Sequence, residues 1–276
     1  MQLPVAPPSS VPAPDALLRA LLSAEVILGR TMAQETQLDG ATVFTNPQRP
    51  AVHMANCARM VCLPDGATPA SVVEQVLAHF ADAGVTCHQF SSATAKWPAE
   101  LAQEIETHGY HLGEPCDLYL LRQRRPPGHA LAELQIIPGR AAYAEFTALC
   151  RDAAASKWNL RGAQAEQYSA AHTDQLDEPH LESFLGRLEG KPAGIVNVLS
   201  AGPVGVIDWV YTTPTLRGRG VASRLLGHAL DYCQRAQFAQ VILEAQRGSS
   251  ACTLYESLGF AAVVARQAYG RPGSEL

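Results

Sequence analysis

The sequence contains no apolar run of the roughly 20 residues that a helix needs to cross a bilayer. Its opening stretch, MQLPVAPPSSVPAPD, lacks the basic start and apolar centre of a secretory signal peptide. The prolines of this stretch predict an extended arm instead. We therefore expect a cytoplasmic protein that has no membrane partner.

Paired cysteine spacing is also missing. The 7 cysteines are scattered along the chain and odd in number. Cys57 and Cys62 lie near His53, but their separation does not match the CxxC pairs of zinc sites. Several other cysteines fall in apolar segments, where a reduced thiol packs as a small hydrophobic side chain. We expect structural thiols in a reducing compartment, and no metal.

A broad basic tract is the third absence. The chain has 21 Lys and Arg residues against 26 Asp and Glu residues, which gives a formal net charge of −5. A nucleic-acid binder relies on clustered cations that displace counterions from phosphates. We therefore expect no nucleic-acid partner. Mild acidity is compatible with a cationic small-molecule partner, and it is also common among soluble proteins.

The sequence does contain enough apolar material for two domains, with 276 residues of which 47% are hydrophobic and 17% charged. Residues 122–130, RQRRPPGHA, interrupt the alternation of helical and strand-like patterns with three arginines, two prolines and a glycine. We place the domain boundary there, between residues 1–125 and residues 131–276. A strand over 118–122 is expected to close the first domain.

Apolar periodicity predicts the elements of both halves. Helices are expected over 16–34, with Asp15 as N-cap, and over 68–82, 98–107, 140–155, 221–236 and 250–258. The main strands of the second half are expected over 131–137, 181–188, 193–200, 204–212, 240–245 and 260–266, and residues 156–179 are expected to be irregular.

The two halves share an order of elements. Pro64 and Pro214 are 150 residues apart, and so are Gly109 and Gly259. Strand, proline, helix, strand, helix, Gly-aromatic and strand follow one another in both halves. This order favours an internal duplication. The first copy has no counterpart of the RGRG sequence found after Pro214, which indicates that it is degenerate.

The RGRG sequence, residues 217–220, stands between a predicted strand and a strong amphipathic helix. A helix N-terminus presents unpaired N–H groups and roughly half a positive charge. Glycines let an anion approach the backbone, and arginines add bidentate hydrogen bonds. This context predicts a pyrophosphate site. The GxGxxG dinucleotide pattern is only partly matched, GxxxxGK[ST] is absent, and the element order disfavours a nucleotide-binding domain.

Three motifs in order resemble the GNAT acetyltransferase superfamily. Arg217, Gly220 and Ala222 match its [Q/R]xxGx[G/A] signature, and VYTTP (210–214) is similar to the strand end that precedes it. SSACTLYESLGF (249–260) resembles the family's second signature, and EGKPAG (189–194) its hairpin. The resemblance covers about residues 131–268. It implies two α/β (α+β) domains, each a mixed, mostly antiparallel twisted sheet flanked by helices, with residues 1–125 as the degenerate copy.

The resemblance also implies where acetyl-CoA binds as co-substrate. Its pyrophosphate would lie on the signature loop, and its pantetheine arm would pair with backbone freed at a bulge between the fourth and fifth strands. An N–H near Val210 would hold the oxyanion. The residues assigned to the co-substrate are Val210, Tyr211, Thr212, Arg217, Gly218, Arg219, Gly220, Val221, Ala222 and Ser223.

The same resemblance assigns Tyr255 as the acid that protonates the departing thiolate, because it lies four residues before Gly259. A base must also remove a proton from the attacking amine, since a free alkyl amine has a pKa near ~10. Asp208 is our first candidate, on the strand face that Val210 and Thr212 are expected to share. Other candidate bases are Glu182, Glu244 and His172, the last in a predicted acidic loop over 172–182.

We therefore predict an N-acyltransferase that moves acetyl from acetyl-CoA to the amine of a small molecule or peptide by direct transfer. The catalytic centre is expected in residues 131–276 of a monomer or homodimer. The alternative is a non-catalytic acyl-CoA sensor that couples binding to a partner. The retention of Tyr255 favours the enzyme.

Overall fold

The structure, a computed structural model, describes residues 13–126 and 133–271. Most of the expected N-terminal arm and part of the boundary segment lie outside these ranges. The first half comprises α1 (Pro14–Met32), β1 (Gln34–Leu38), β2 (Ala41–Thr45), β3 (Cys57–Val61), α2 (Pro69–Asp82), β4 (Gln89–Ser92), α3 (Ala99–Thr107), β5 (His111–Leu112) and β6 (Cys116–Leu121).

The second half comprises β7 (Leu134–Pro138), α4 (Tyr143–Lys157), α5 (Ala163–Asp174), β8 (Leu181–Leu188), β9 (Lys191–Ala201), β10 (Val204–Thr212), α6 (Val221–Arg235), β11 (Gln240–Gln246), α7 (Ser250–Ser257), β12 (Phe260–Arg266) and β13 (Ala268–Gly270). Among the described residues, no helix combines the length and the apolar content that a membrane span requires.

Two local predictions are wrong. Asp15 is not the N-cap of α1, because the helix begins at Pro14 and Ala13 occupies the cap position. Residues 163–174, expected to be irregular, form α5. The buried side of α5 includes alanines beside Tyr168 and His172, so its apolar stripe is too weak to stand out in the sequence.

The strands form two mixed sheets that exchange one strand each. The first sheet has the order β1-β2-β3-β4-β13-β5, and the second has the order β12-β6-β11-β10-β9-β8-β7. The strand expected to close the first domain, β6, lies instead between β11 and β12 of the second sheet. In return, β13 pairs with β4 and β5 of the first sheet.

The exchanged strand β6 suits a central position because it is apolar on both faces. In β6, Leu118 and Leu120 pack in the core beneath α1, while Tyr119 packs in the core beneath α6 and α7. In β13, Tyr269 is buried in the core of the first sheet. Tyr119 and Tyr269 are 150 residues apart. This separation supports the predicted duplication, since the two strands then occupy equivalent places.

The second sheet is covered on both faces. Helices α6 and α7 pack on one face, with Leu225 and Leu226 in the core. Helices α1 and α4 pack on the other face, where α1 of the first half places Leu17 and Leu21 against this sheet. The first half therefore contributes a strand and a helix to the sheet that carries the candidate site.

A partly buried ion network joins the two halves between α1 and the sheets. Glu25 of α1 accepts a hydrogen bond from Arg59 Nη1 on β3 at 2.7 Å and also contacts Arg266 on β12. Arg266 Nε donates to Glu244 Oε1 on β11 at 2.6 Å. Burial opposes ionisation of Glu25, but the guanidinium groups of Arg266 and Arg59 lower its pKa overall. The Glu25 carboxylate is thus held ionised by residues from both sheets.

Candidate active site

The loop between β10 and α6 has the backbone geometry of an anion site. Gly218 has φ 74° and Gly220 has φ 73°, both in the left-handed region that favours glycine. Gly220 occupies the N-cap position of α6, and no side chain caps the helix. The first helical hydrogen bond runs from the Arg224 amide to the Gly220 carbonyl at 3.1 Å. The amides of residues 221–223 therefore precede the helical ladder and point out of the N-terminus.

The equivalent helix of the first half lacks this property. Thr68 caps α2 through a reciprocal pair of hydrogen bonds with Ser71, each of 3.1 Å, and Pro69 has no N–H to offer. The N-terminal donors of α2 are therefore largely used within the protein. An anion would therefore find more free backbone donors on α6 than on α2.

The two arginines of the loop differ in their partners. Arg217 Nε donates to the Thr212 carbonyl at 3.3 Å, which holds the guanidinium beside the end of β10. Arg219 Nη2 donates to Glu189 Oε1 in the β8–β9 turn at 2.9 Å, with both side chains exposed. An exposed pair of this kind contributes at most about 1 kcal/mol, so Arg219 can exchange Glu189 for a phosphate at little cost.

Strand β10 contains the expected bulge. Asp208 pairs with Asn197 and Tyr211 with Ile195, so Trp209 and Val210 together oppose a single residue of β9. Trp209 has φ 47°, which is rare for a residue with a side chain. Met60 of β3 has φ 53° at a register shift of its own, 149 residues earlier. Both halves thus contain a residue with positive φ at a register shift, against the antiparallel neighbour β9 in β10 and against the parallel neighbour β4 in β3.

Beyond the bulge, β10 and β11 separate. Their parallel pairing ends at Ile207 and Leu243, although β10 continues to Thr212 and β11 to Gln246. The Thr213 amide donates to the Ala193 carbonyl at 3.0 Å. The backbone groups of the preceding residue, Thr212, therefore point to the opposite side, into the gap between the two strands. We call this opening between residues 208–212 and 244–246 the splay gap.

Tyr255 lies on the α6–α7 side of the splay gap, in the same cluster as Val210. Its ring packs edge-on against Tyr119 at 6.0 Å between ring centroids and at a tilt against Phe260 at 6.2 Å. Burial, with the charge of Asp208 as the next cause, raises the pKa of Tyr255 to about 12. The phenol therefore keeps its proton at neutral pH.

Asp208 lies on the other side of the gap, which corrects the expected strand face. It follows Val204 and Val206, whose side chains pack beneath α1, whereas Val210 packs on the α6–α7 face. The prediction assumed strict alternation from Asp208 to Thr212, and the bulge breaks that alternation by one residue. Asp208 therefore lies on the opposite face of the sheet from Val210 and Tyr255, and the splay gap is the opening between these two faces.

The environment of Asp208 suits a base near neutral pH. Burial raises the pKa of Asp208 to about 6, partly opposed by a hydrogen bond from the Trp209 amide and by the ammonium group of Lys157. Lys157 ends α4 and lies over the Trp158 ring at 4.6 Å. Asp208 is therefore mostly ionised at pH 7, yet close enough to titration to accept a proton.

The other candidate bases are engaged elsewhere. Glu244 accepts hydrogen bonds from Arg266 at 2.6 and 2.8 Å. Glu182 lies on β8, where it pairs with Val198 of β9, and β8 is two strands away from β10 and the splay gap. His172 is not in an acidic loop but near the end of α5, buried and stacked on Trp209 at 4.1 Å between centroids. Burial lowers the pKa of His172 to about 4, so it is neutral at pH 7.

Sequence reasoning missed three residues around the gap. Trp209 and Tyr168 form an aromatic wall with His172, and Lys157 supplies a positive charge near Asp208. Tyr168 lies in the helix that the sequence pattern did not reveal, which is why it was not considered. Among the described residues, no group of three or more His, Cys, Asp or Glu is arranged to hold a metal ion.

These features define a mixed-sheet fold with a bulged fourth strand, a splay gap and an uncapped helix N-terminus beside it. Residues 148–260 match the sequence model of the acetyltransferase (GNAT) family. Acyl-CoA-dependent acetyl transfer is the general chemistry of this family. None of the curated proteins compared with the chain matches it significantly.

Solved structures show the same fold along nearly the whole chain. The GCN5-related N-acetyltransferase from Kribbella flavida aligns with a TM-score of 0.63 at 14% identity, over 93% of this chain and 95% of its own. The enzyme of the same description from Sphaerobacter thermophilus aligns with a TM-score of 0.52 at 19% identity, over 75% of this chain and 69% of its own. A conserved protein of unknown function from Staphylococcus epidermidis gives 0.58 at 14% identity, over 86% and 93%. At these identities the likeness concerns the fold alone.

Proposed function

We propose that the protein transfers an acyl group, with acetyl as the first candidate, from acyl-CoA to the primary amine of a small molecule. The observation that carries this proposal is the position of Asp208 and Tyr255 on opposite sides of one splay gap. A donor entering from the α6–α7 side and an acceptor entering from the α4–α5 side would meet in the gap. Such an arrangement supports direct transfer without an acyl-enzyme.

The residues divide the work according to their chemistry. The amides of residues 221–223 and the Arg217 guanidinium would bind the pyrophosphate of the co-substrate, and the gap-facing backbone of Thr212 would pair with its pantetheine arm. Asp208 would accept the proton that the amine loses on attack, and the protonated Tyr255 would donate to the departing sulfur. In this proposal residues 131–276 hold the catalytic groups, and residues 1–125 support them through β6 and α1.

Free-thiol release from acetyl-CoA across a panel of amines tests the proposal. Tyr255→Phe should lower kcat by about 100-fold or more, because the departing sulfur loses its proton donor. The affinity for CoA, measured by calorimetry, should change less than about threefold. Tyr232→Phe, on α6 against Phe184 at 5.5 Å, is the matched control and should retain wild-type turnover.

One result would contradict enzymatic transfer, and a second would contradict only the role of Tyr255. CoA binding without turnover on any amine would favour the acyl-CoA sensor. Equal turnover in Tyr255→Phe and wild type would remove Tyr255 from the chemistry while leaving the transfer itself in place.

A further inference from the structure

A cavity of about 550 Å³ lies between the two halves, next to α5. Residues 50–54 and His88 line it from the first half, and Trp158, Leu160 and Tyr168 line it from the second half. Its volume is in the range of small-molecule sites. We call it the junction pocket.

Two pairs of flat rings border the junction pocket, one from each half. His53 and His88 stack at 4.2 Å between centroids with an angle of 25° between their planes. Trp158 and Tyr168, from the second half, approach to 4.7 Å between ring centroids with an angle of 45° between their planes. Flat surfaces of this kind favour a planar guest, since stacked rings gain contact that a bulky aliphatic group does not.

The lining of the junction pocket is uncharged at pH 7. No Asp, Glu, Lys or Arg is among its lining residues within the described part of the chain. Burial, followed by the neighbouring His88, lowers the pKa of His53 to about 4. Burial also lowers the pKa of His88, whose Nε2 donates to the Pro50 carbonyl at 2.8 Å. Burial raises the pKa of Tyr168.

A neutral lining argues against acceptors with several charges. A polyamine or aminoglycoside brings several ammonium groups, and burying each without a carboxylate partner is costly. The charged groups at the edge do not change this. Arg49 and Asp174 pair with each other at 2.5 Å, and Lys157 would repel a cation. Beyond the pocket, the charge of Asp208 acts on Tyr168 of the pocket wall.

A chain of rings lies between the junction pocket and the splay gap. The ring centroid of Tyr168, in the pocket wall, lies 6.4 Å from that of Trp209. Trp209 is the bulge residue between Asp208 and Val210. His172 stacks on Trp209 at 4.1 Å and lies tilted by 49° against Tyr168 at 4.3 Å between ring centroids. Among the described residues, the buried atom His172 Nε2 has no hydrogen-bond partner. A hydrogen-bonding group of a guest would find an unpaired partner there.

Building on the proposed function, we propose that the junction pocket holds the non-reacting body of the acceptor, a flat, uncharged aromatic or heteroaromatic ring that carries one primary amine on a short tether. The ring lies between the histidine pair and the Trp158–Tyr168 pair. The amine reaches past Trp209 to Asp208. The degenerate half thus sets acceptor specificity for the site in the other half.

The first test measures binding to the CoA-loaded wild-type protein by calorimetry, with 2-phenylethylamine and tryptamine as ring-bearing probes. Cyclohexylethylamine serves as the non-planar match, and spermidine and kanamycin as polycations. The ring-bearing amines should bind at least about tenfold more tightly than cyclohexylethylamine or the polycations. Equal or tighter binding of a polycation, or no binding of either ring-bearing amine, overturns the proposal.

The second test uses His53→Leu, which replaces the flat imidazole ring with an uncharged, non-planar side chain of similar size. Affinity for 2-phenylethylamine should fall about tenfold, while affinity for CoA should stay within about twofold. His228→Leu, on α6 beside Phe184 at 4.6 Å, is the matched control outside the pocket. Unchanged amine affinity in a folded His53→Leu variant contradicts the proposal.

The two proposals fail differently. If CoA does not bind, the proposed function fails. If CoA binds and spermidine is acetylated in preference to the ring-bearing amines, acyl transfer stands and the assignment of the junction pocket falls.

Discussion

At the residue scale, the chemistry depends on where single side chains lie relative to the bulge. Asp208 and Tyr255 are both predictions from the sequence, Asp208 from its strand position and Tyr255 from a motif. Their relation across the sheet could not be predicted, because one residue with φ 47°, Trp209, shifts the facing of everything before it. No sequence signal separates a tryptophan in a regular strand from one in a bulge.

The pH dependence of kcat distinguishes the two nearest candidate bases. If Asp208 accepts the proton, its ionised form is required, and kcat should fall about tenfold per pH unit below about pH 6. If His172 acts instead, the neutral imidazole is required and the fall should begin near pH 4. Above neutrality Tyr255 should cause no loss up to about pH 10, since its pKa is about 12.

Asp208→Asn completes this measurement, because the amide has the shape of the carboxylate but does not act as a base near neutral pH. Its kcat should be about 100-fold lower and should no longer change near pH 6. His172→Gln is the comparison variant. If kcat of Asp208→Asn still falls below about pH 6, another group titrates there.

At the element scale, the turn between β10 and α6 was the most predictable feature. Its glycines, arginines and following helix are neighbours in the sequence, so the turn can be predicted without knowledge of distant contacts. The contrast with α2 was only half predictable. The missing RGRG sequence was visible, but the reciprocal Thr68–Ser71 cap that occupies the helix terminus depends on side-chain geometry.

Gly218→Ala tests the turn. Gly218 has φ 74° and open space around its missing Cβ, so the substitution strains the backbone without a steric clash. We expect a stability loss of about 1 kcal/mol and a CoA affinity at least tenfold weaker, because the amides of the turn shift. Both quantities follow from urea denaturation and calorimetry.

Gly202→Ala, in the β9–β10 turn with φ 60° and equally open space, is the matched control. It should show a similar stability loss with unchanged CoA affinity. If both variants bind CoA like the wild type, the turn is not the phosphate site.

At the scale of the whole molecule, the order of elements was readable, and the pairing of strands was not. The boundary at 122–130 fits the sequence pattern, yet each sheet is completed by a strand from beyond it. Strand pairing between residues more than 100 positions apart leaves no periodic trace, because β6 would be equally apolar in either sheet. The buried network of Glu25, Arg59, Glu244 and Arg266 is invisible for the same reason.

Exchange of strands predicts that the two halves unfold together. Trp97 of the first half donates from Nε1 to the Gln267 carbonyl at 2.9 Å and packs edge-on against Tyr269, so it reports on β13. Trp209 reports on the second sheet. In variants that keep one tryptophan each, urea titrations followed by fluorescence should give the same midpoint. Tyr269→Ala should lower both midpoints equally, by roughly 3 kcal/mol of unfolding free energy.

Separate midpoints for Trp97 and Trp209 would show that the sheets are energetically independent despite the exchange. A loss confined to the Trp97 signal in Tyr269→Ala would lead to the same conclusion.

The contact between Tyr119 and Tyr255 has an evolutionary consequence. The ring that packs against Tyr255 comes from β6, in the half that lacks the RGRG sequence. If Tyr255 is the acid of the proposed transfer, a gene that lost the first half would lose a neighbour of that residue along with it. Selection on the proposed turnover would then extend to a segment outside residues 131–276, and splitting the gene at residues 122–130 would leave both sheets incomplete.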